Sequence, residues 1–103
     1  MLIYNTTYHV PIEDARNFVI WIHQAYIPQA LQSGLLSAPR LCHILSHHDE
    51  TSECFSLQFE TEGTDKLHEW YVHSGVDLEK ELKKTFKEKV VGFTTLMDVI
   101  EEE

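Results

Sequence analysis

Long hydrophobic runs are missing from this chain, and so is an excess of basic residues. The longest apolar run, FVIWI at residues 18–22, is far shorter than the roughly 20 residues that a membrane-spanning helix needs. Eight Lys and Arg residues stand against 17 Asp and Glu residues, a formal net charge of −9 at pH 7. A surface of that sign repels phosphate backbones. We therefore expect a soluble, cytoplasmic protein that binds neither membranes nor nucleic acids.

Glycine, proline and cysteine are also scarce, with four, three and two residues respectively. Because 43% of the residues are hydrophobic, the chain can bury enough apolar surface to fold throughout, and its length suits one domain over residues 1–103. Cys42 and Cys54 fall in predicted strands, and we interpret them as two buried thiols rather than a disulfide. The sequence contains no nucleophile elbow, phosphate-binding loop or paired-carboxylate motif, so it assigns no catalytic residue.

Hydrophobic periodicity predicts the element order βαββαβ. The strand-like runs are Leu2 to Val10, Arg40 to His47, Cys54 to Thr61 and Val90 to Ile100. Between them, apolar residues recur at helical spacing, as at Leu78, Leu82 and Phe86. This order is typical of a ferredoxin-like α+β fold, with a four-stranded antiparallel sheet and helices on one of its faces.

A proline lies inside the first predicted helix, in the segment WIHQAYIPQALQSG. Pro28 lacks the N–H that would bond to the Gln24 carbonyl, and its ring displaces Ile27 from helical dihedrals. We therefore expect the helix to kink or restart at this proline. Gly34 then predicts a left-handed stop at the end of the helix.

The sheet face without helices has a semi-polar pattern that suggests a ligand site. Alternation places Asn5 and Thr7 of the first strand on this face, together with Ser56 and Gln58 of the third. The second and fourth strands are apolar on both faces, which favours coverage by a second copy in a face-to-face homodimer. We expect a small, largely apolar molecule to bind between the two sheets.

Several short motifs, spread over nearly the whole chain, resemble a known family. They are LIYNTTYHV at the start, Trp21 with Ile27 and Pro28 followed by Leu and Ser-Gly, Arg40, SLQF at 56–59 and KVVGFTTLMDVI near the end. Together they resemble the bacterial family catalogued as domain of unknown function 4286. The resemblance implies a ferredoxin-like dimeric α/β barrel with no established activity. Tyr26 and Thr94 depart from the family pattern, which has His and Arg at these positions.

Small dimeric α/β barrels include cofactor-free monooxygenases and haem-degrading enzymes, and this gives an alternative function. The resemblance to the haem-degrading proteins consists of an Asn on the first strand and a Trp on the second helix, which Asn5 and Trp70 match. Those proteins also have a His further along the helix, whereas His73 follows Trp70 by less than one turn. We therefore expect no haem and no other cofactor. Together with Asn5, Thr7, Ser56 and Gln58, the residues Trp70 and His23 are the candidate ligand-binding residues predicted from the sequence.

Seven histidines raise the question of a metal site. The densest cluster is His47, His48, Asp49 and Glu50, but adjacent residues in an extended segment point apart. No Cys and His spacing matches a structural zinc motif. We expect no metal site.

Overall fold

The computed structural model describes residues 1–102 and is built on one four-stranded antiparallel sheet. The strands are β1 (Leu2–Pro11), β2 (Ser37–His43), β3 (Ser52–Thr61) and β4 (Val91–Asp98). Their order in the sheet is β2-β3-β1-β4, with β1 and β3 at the centre. The register places Asn5 between Gln58 of β3 and Thr95 of β4. The predicted ferredoxin-like α+β fold is confirmed.

Two helical segments connect the strands, and each contains a π turn. The first consists of α1 (Ala15–Trp21), the π turn Ile22–Tyr26 and α2 (Ile27–Leu31), and the second of α3 (Thr64–Trp70), the π turn Tyr71–Gly75 and α4 (Val76–Phe86). Gly34 has a φ of +76°, which confirms the predicted left-handed stop after the first segment. Over residues 1–102, no helix has the length and apolar character needed to cross a bilayer.

Pro28 does not interrupt the first helical segment. Ile27 keeps helical dihedrals, with φ −60° and ψ −48°, so the expectation that the proline displaces it is wrong. The reason is the π turn, in which the Ile27 N–H donates to the Ile22 carbonyl five residues back. Pro28 then lies in the first turn of α2, where its missing N–H costs little. A new α-helical segment does begin there, without a break in the helical backbone.

The core lies between the helical segments and one face of the sheet. Helical side chains buried at a strict four-residue spacing are Phe18, Ile22, Tyr26 and Ala30 in the first segment and Leu78, Leu82 and Phe86 in the second. They pack against alternate residues of β1 and β3, among them Val10, Leu57 and Phe59. Four residues exceed one 3.6-residue turn, so the wider π turn helps the first segment keep these positions on one face.

The opposite face of the sheet, here named the open face, has no helix from residues 1–102 against it. It carries Ile3, Asn5, Thr7 and His9 of β1, Cys54, Ser56 and Gln58 of β3, Arg40 and Cys42 of β2, and Val91, Phe93, Thr95 and Met97 of β4. Phe93 is 59% exposed and Met97 39% exposed. Both cysteines are free thiols, but only Cys54 is buried, so the expectation of two buried thiols is wrong for Cys42.

Candidate ligand-binding site

A cavity of about 900 Å³ lies between the helix-facing side of the sheet and the second helical segment. The side chains and backbone that line it include Tyr4, Thr6 and Tyr8 of β1, Gly92, Thr94 and Leu96 of β4, and Leu67, Trp70, Tyr71 and Leu82 of the helical segment. Every residue of β4 is exposed, which shows that the helical segments do not pack tightly over this edge strand, and the space lies along it. A cavity of this volume is within the usual range for small-molecule sites.

Three tyrosines and a tryptophan form the aromatic part of the cavity wall. The fully buried Trp70 donates its indole N–H to the Ala30 carbonyl at 2.9 Å, and the Tyr4 ring meets it edge-on with 5.7 Å between centroids. Burial raises the pKa of Tyr8 to about 12 and also raises the pKa of Tyr4 and of Tyr26. At neutral pH these phenols are uncharged hydroxyl groups, able to donate or accept hydrogen bonds.

The remaining part of the wall is polar and exposed. The Tyr71 hydroxyl donates to the Glu79 carboxylate at 2.8 Å, and the Lys83 ammonium lies 3.7 Å from the same carboxylate. The hydrogen bond to Glu79, with the charge of that carboxylate, raises the pKa of Tyr71. His68 and Glu88 also line this part of the cavity. An exposed ion pair of this kind contributes little to stability, so these charges are available to a ligand.

Two glycines preserve the shape of the aromatic wall. A Cβ atom on Gly75 would come within 2.7 Å of both Trp70 Cζ3 and Tyr71 Cδ1. A Cβ atom on Gly92 would lie 3.0 Å from Cε1 of Tyr8. Glycine at these positions therefore lets the aromatic side chains occupy their places along the cavity.

Four of the predicted ligand-binding residues lie together on the open face, on the other side of the sheet from the cavity. Asn5 donates a hydrogen bond to Thr7 Oγ1 at 3.2 Å, and Ser56 donates to the side-chain oxygen of Asn5. Gln58 is the register partner of Asn5 in β3. Asn5, Thr7 and Ser56 are thus hydrogen-bonded to one another, and contact with a ligand through a second copy stays a prediction.

The other two predicted residues lie on the helical segments, and only one of them lines the cavity. Trp70 forms part of the cavity wall, whereas His23 is exposed in the first π turn. The sheet separates Trp70 from Asn5, so the structure does not bring together the pair on which the haem-degrading comparison depends. His73 is exposed in the second π turn.

The residues missed by the sequence reasoning are the polar ones on the helix-facing side, chiefly Thr6, His68 and Glu79. Alternation along β1 correctly assigns Tyr4 and Tyr8 to this side, but it does not indicate that a cavity lies beside them. A signal was present in β4, because Gly92 and Thr94 occupy the helix-facing positions and neither fills a core well.

Solved structures that share this fold include one natural and one designed protein. One is a Deinococcus radiodurans protein named as a candidate antibiotic biosynthesis monooxygenase, which aligns with a TM-score of 0.69 and 17% identity over 100% of this chain and 96% of its own. The other is the de novo designed protein Foldit4, with a TM-score of 0.60 and 8% identity over 94% of this chain and 96% of its own. At these identities the similarity establishes the fold alone.

Sequence comparison is more specific than the structural similarity. Among curated proteins, none matches this sequence. The profile of the family described as "Domain of unknown function (DUF4286)" matches residues 1–100, which is nearly the whole chain. The resemblance carried by the short sequence motifs is therefore confirmed, and the chain belongs to the DUF4286 family.

Proposed function

We propose that this protein binds a small, neutral, largely apolar molecule in the cavity on the helix-facing side of the sheet. The observation that carries the proposal is a space of about 900 Å³ lined by Tyr4, Tyr8, Tyr26 and Trp70. Aromatic side chains make favourable edge and face contacts with planar rings, so the wall suits a ligand built from aromatic rings. The proposed ligand is small and largely apolar, as the sequence analysis expects. The proposed site is on the helix-facing side of the sheet and not between two sheets.

The polar groups of the cavity define what else the ligand should carry. The hydroxyls of Tyr8 and Tyr26 are neutral, and the Glu79 carboxylate at the exposed side accepts hydrogen bonds. With a net charge of −9, the protein repels anions at long range. A ring system with one or two hydroxyl groups fits this combination better than a carboxylate or a phosphate ester.

We further propose that two copies pair through their open faces. Phe93 and Met97 are exposed on this face, beside the half-buried Ile3. In a single chain, the apolar surface of these three side chains is in contact with water. A second copy is the simplest cover for such a face, because a two-fold interface matches the surface to itself. In this arrangement the helix-side cavities remain outside the interface, one in each chain.

A second candidate function is oxygenation of the bound molecule without a cofactor. The observation that favours it is the whole-chain fold similarity to the Deinococcus radiodurans candidate monooxygenase, combined with a cavity in each chain. Direct reaction with O₂ requires a substrate that gives up a proton to become electron-rich. His68, Glu79 and Glu88 are the groups in the wall that could accept that proton, because the buried tyrosines are held in the neutral form.

Calorimetric titration with a panel of one-ring to three-ring phenols, beginning with 1-naphthol, tests the binding proposal. Thr94→Phe places a large ring in the cavity, and Thr95→Phe places the same ring on the open face at the next residue of the strand. We expect saturable binding by the wild type and by Thr95→Phe, and loss of binding in Thr94→Phe with an unchanged circular dichroism spectrum. Equal binding by the two variants, or no binding by the wild type, contradicts the proposal.

Oxygen uptake distinguishes the two candidate functions. The protein is mixed with anthrone, an oxidisable three-ring substrate, and dissolved O₂ is followed without added metal, flavin or reductant. Uptake above the uncatalysed rate, reduced in His68→Gln and absent in Thr94→Phe, supports oxygenation. Binding without such uptake supports a module that only holds its ligand.

A further inference from the structure

A cluster of three metal-ligating side chains lies on the open face, away from the cavity. His9 of β1 and Cys54 of β3 are register partners, and His47 reaches them from the connection at residues 44–51. The Cys54 sulfur is 3.1 Å from Nδ1 of His9, and one nitrogen of each histidine and the sulfur all lie within 4.8 Å of one another. The three side chains thus converge on one point although 45 residues separate the first from the last.

The surroundings of this cluster hold the side chains in place. The imidazole of His47 makes a hydrogen bond to Ser52 Oγ at 2.9 Å and meets the His9 ring edge-on at 5.5 Å between centroids. The Phe93 ring packs against His9 from the neighbouring strand at 5.8 Å. Cys54 itself is only 3% exposed. Ligands supported in this way by polar and apolar neighbours are a general feature of metal sites.

The donor set and its dimensions suit zinc. Two imidazole nitrogens and one thiolate sulfur are preferred ligands of Zn²⁺, and bonds of 2.0–2.3 Å in a tetrahedron place such donors about 3.5 Å apart. The cluster has one contact near this value, and all three donors lie within 4.8 Å of one another.

We propose that His9, His47 and Cys54 bind one Zn²⁺ ion per chain, with the fourth tetrahedral position left to water or to a donor from outside the chain. The proposal is independent of the cavity and its ligand. It goes against the sequence-based expectation of no metal site. That expectation rests on local spacing, whereas the register of β1 and β3 pairs His9 with Cys54, and His47 joins them from the connection between β2 and β3.

Zinc titration and cobalt spectroscopy of the full chain test this proposal. After removal of metals with a chelator, calorimetry with ZnCl₂ should give one site per chain. Co²⁺ in the same site should show intense tetrahedral absorption in the visible region and a thiolate-to-cobalt charge-transfer band in the near ultraviolet. Cys54→Ser should abolish the charge-transfer band, and His9→Gln or His47→Gln should weaken zinc binding by at least about 100-fold.

Two matched controls make the assignment specific. Cys42→Ser removes the other, exposed thiol of the open face, and His48→Gln removes the exposed neighbour of His47. Both controls should keep the stoichiometry, the affinity and the charge-transfer band. Because Cys42→Ser leaves Cys54 as the sole thiol, its cobalt spectrum decides the question even where Cys54→Ser fails to fold. An octahedral cobalt spectrum without the charge-transfer band, or zinc binding that His47→Gln and His48→Gln weaken equally, overturns the proposal.

Discussion

Replacement of Trp70 by Phe tests how the two helical segments are held together. The indole N–H donates to the Ala30 carbonyl at 2.9 Å, and Trp70 is completely buried. Phe cannot make this bond, and a buried acceptor that loses its donor costs about 1–3 kcal/mol. The smaller ring also leaves space and gives up packing contacts, which costs roughly 1–2 kcal/mol more. The expected loss in the free energy of unfolding is therefore about 2–5 kcal/mol.

Urea denaturation followed by far-ultraviolet circular dichroism measures this loss. Trp21→Phe is the matched control, because Trp21 is half-buried and a phenyl ring can keep part of its contacts with Tyr26 and Phe86. We expect the control to lose about 1 kcal/mol or less, in keeping with its partial exposure. Equal losses in the two variants would refute the reasoning, because they would show that the bond to the Ala30 carbonyl adds nothing to stability.

Three further predictions concern the interface, the helix and the tyrosines. Ile3→Asp places an unpaired charge on the proposed dimer interface, so analytical ultracentrifugation should show a monomer with unchanged helicity; a wild-type chain that is already monomeric at micromolar concentration would disprove the pairing. Gly75→Ala forces a methyl group to within 2.7 Å of the Trp70 ring and should lower stability by about 1–3 kcal/mol in urea denaturation, whereas an unchanged midpoint would show that the ring shifts freely. Burial raises the pKa of Tyr8 from 10.0 to about 12, so the stability due to its neutral form is complete below pH 10 and is lost as the pH rises towards 12. A Tyr8→Phe variant should lose less stability than the wild type across that range, and parallel pH profiles for the two proteins would count against this assignment.

Strand alternation predicts the two faces of the central strands β1 and β3, whereas β2 covers Ser37–His43 rather than Arg40 to His47. Phe55, Leu57 and Phe59 of β3 lie on the helix-facing side, and Ser56 and Gln58 lie on the open face, as the period of two predicts. The β1 pattern is equally informative. Such patterns depend on local sequence and on the division between buried and exposed surface, both of which are visible in a single chain.

The cavity could not be predicted in this way because it depends on where packing is incomplete. A strand pattern assigns Tyr4 and Tyr8 to one side of the sheet, but it does not say whether the helices above reach the edge strand β4.

The π turns could not be predicted from the local sequence either. Pro28 indicates an irregularity in the first helical segment, yet the sequence of this segment does not decide between a kink and a wider turn. The candidate metal cluster depends on pairing between residues 45 positions apart, which no local motif records.

Each π turn also determines how the α-helix on its C-terminal side is rotated about its own axis, and so which of its residues face the sheet. Every residue of an α-helix rotates the chain by about 100° around the helix axis. Removal of one residue within Ile22–Tyr26 would therefore act as a rotation of α2 rather than as a shortened loop. The Ala30 carbonyl would swing away from the Trp70 indole, although every neighbouring side chain kept its identity. The number of residues in this turn thus determines the orientation of the contact between the helical segments. It does so independently of the identity of the residues that make the contact.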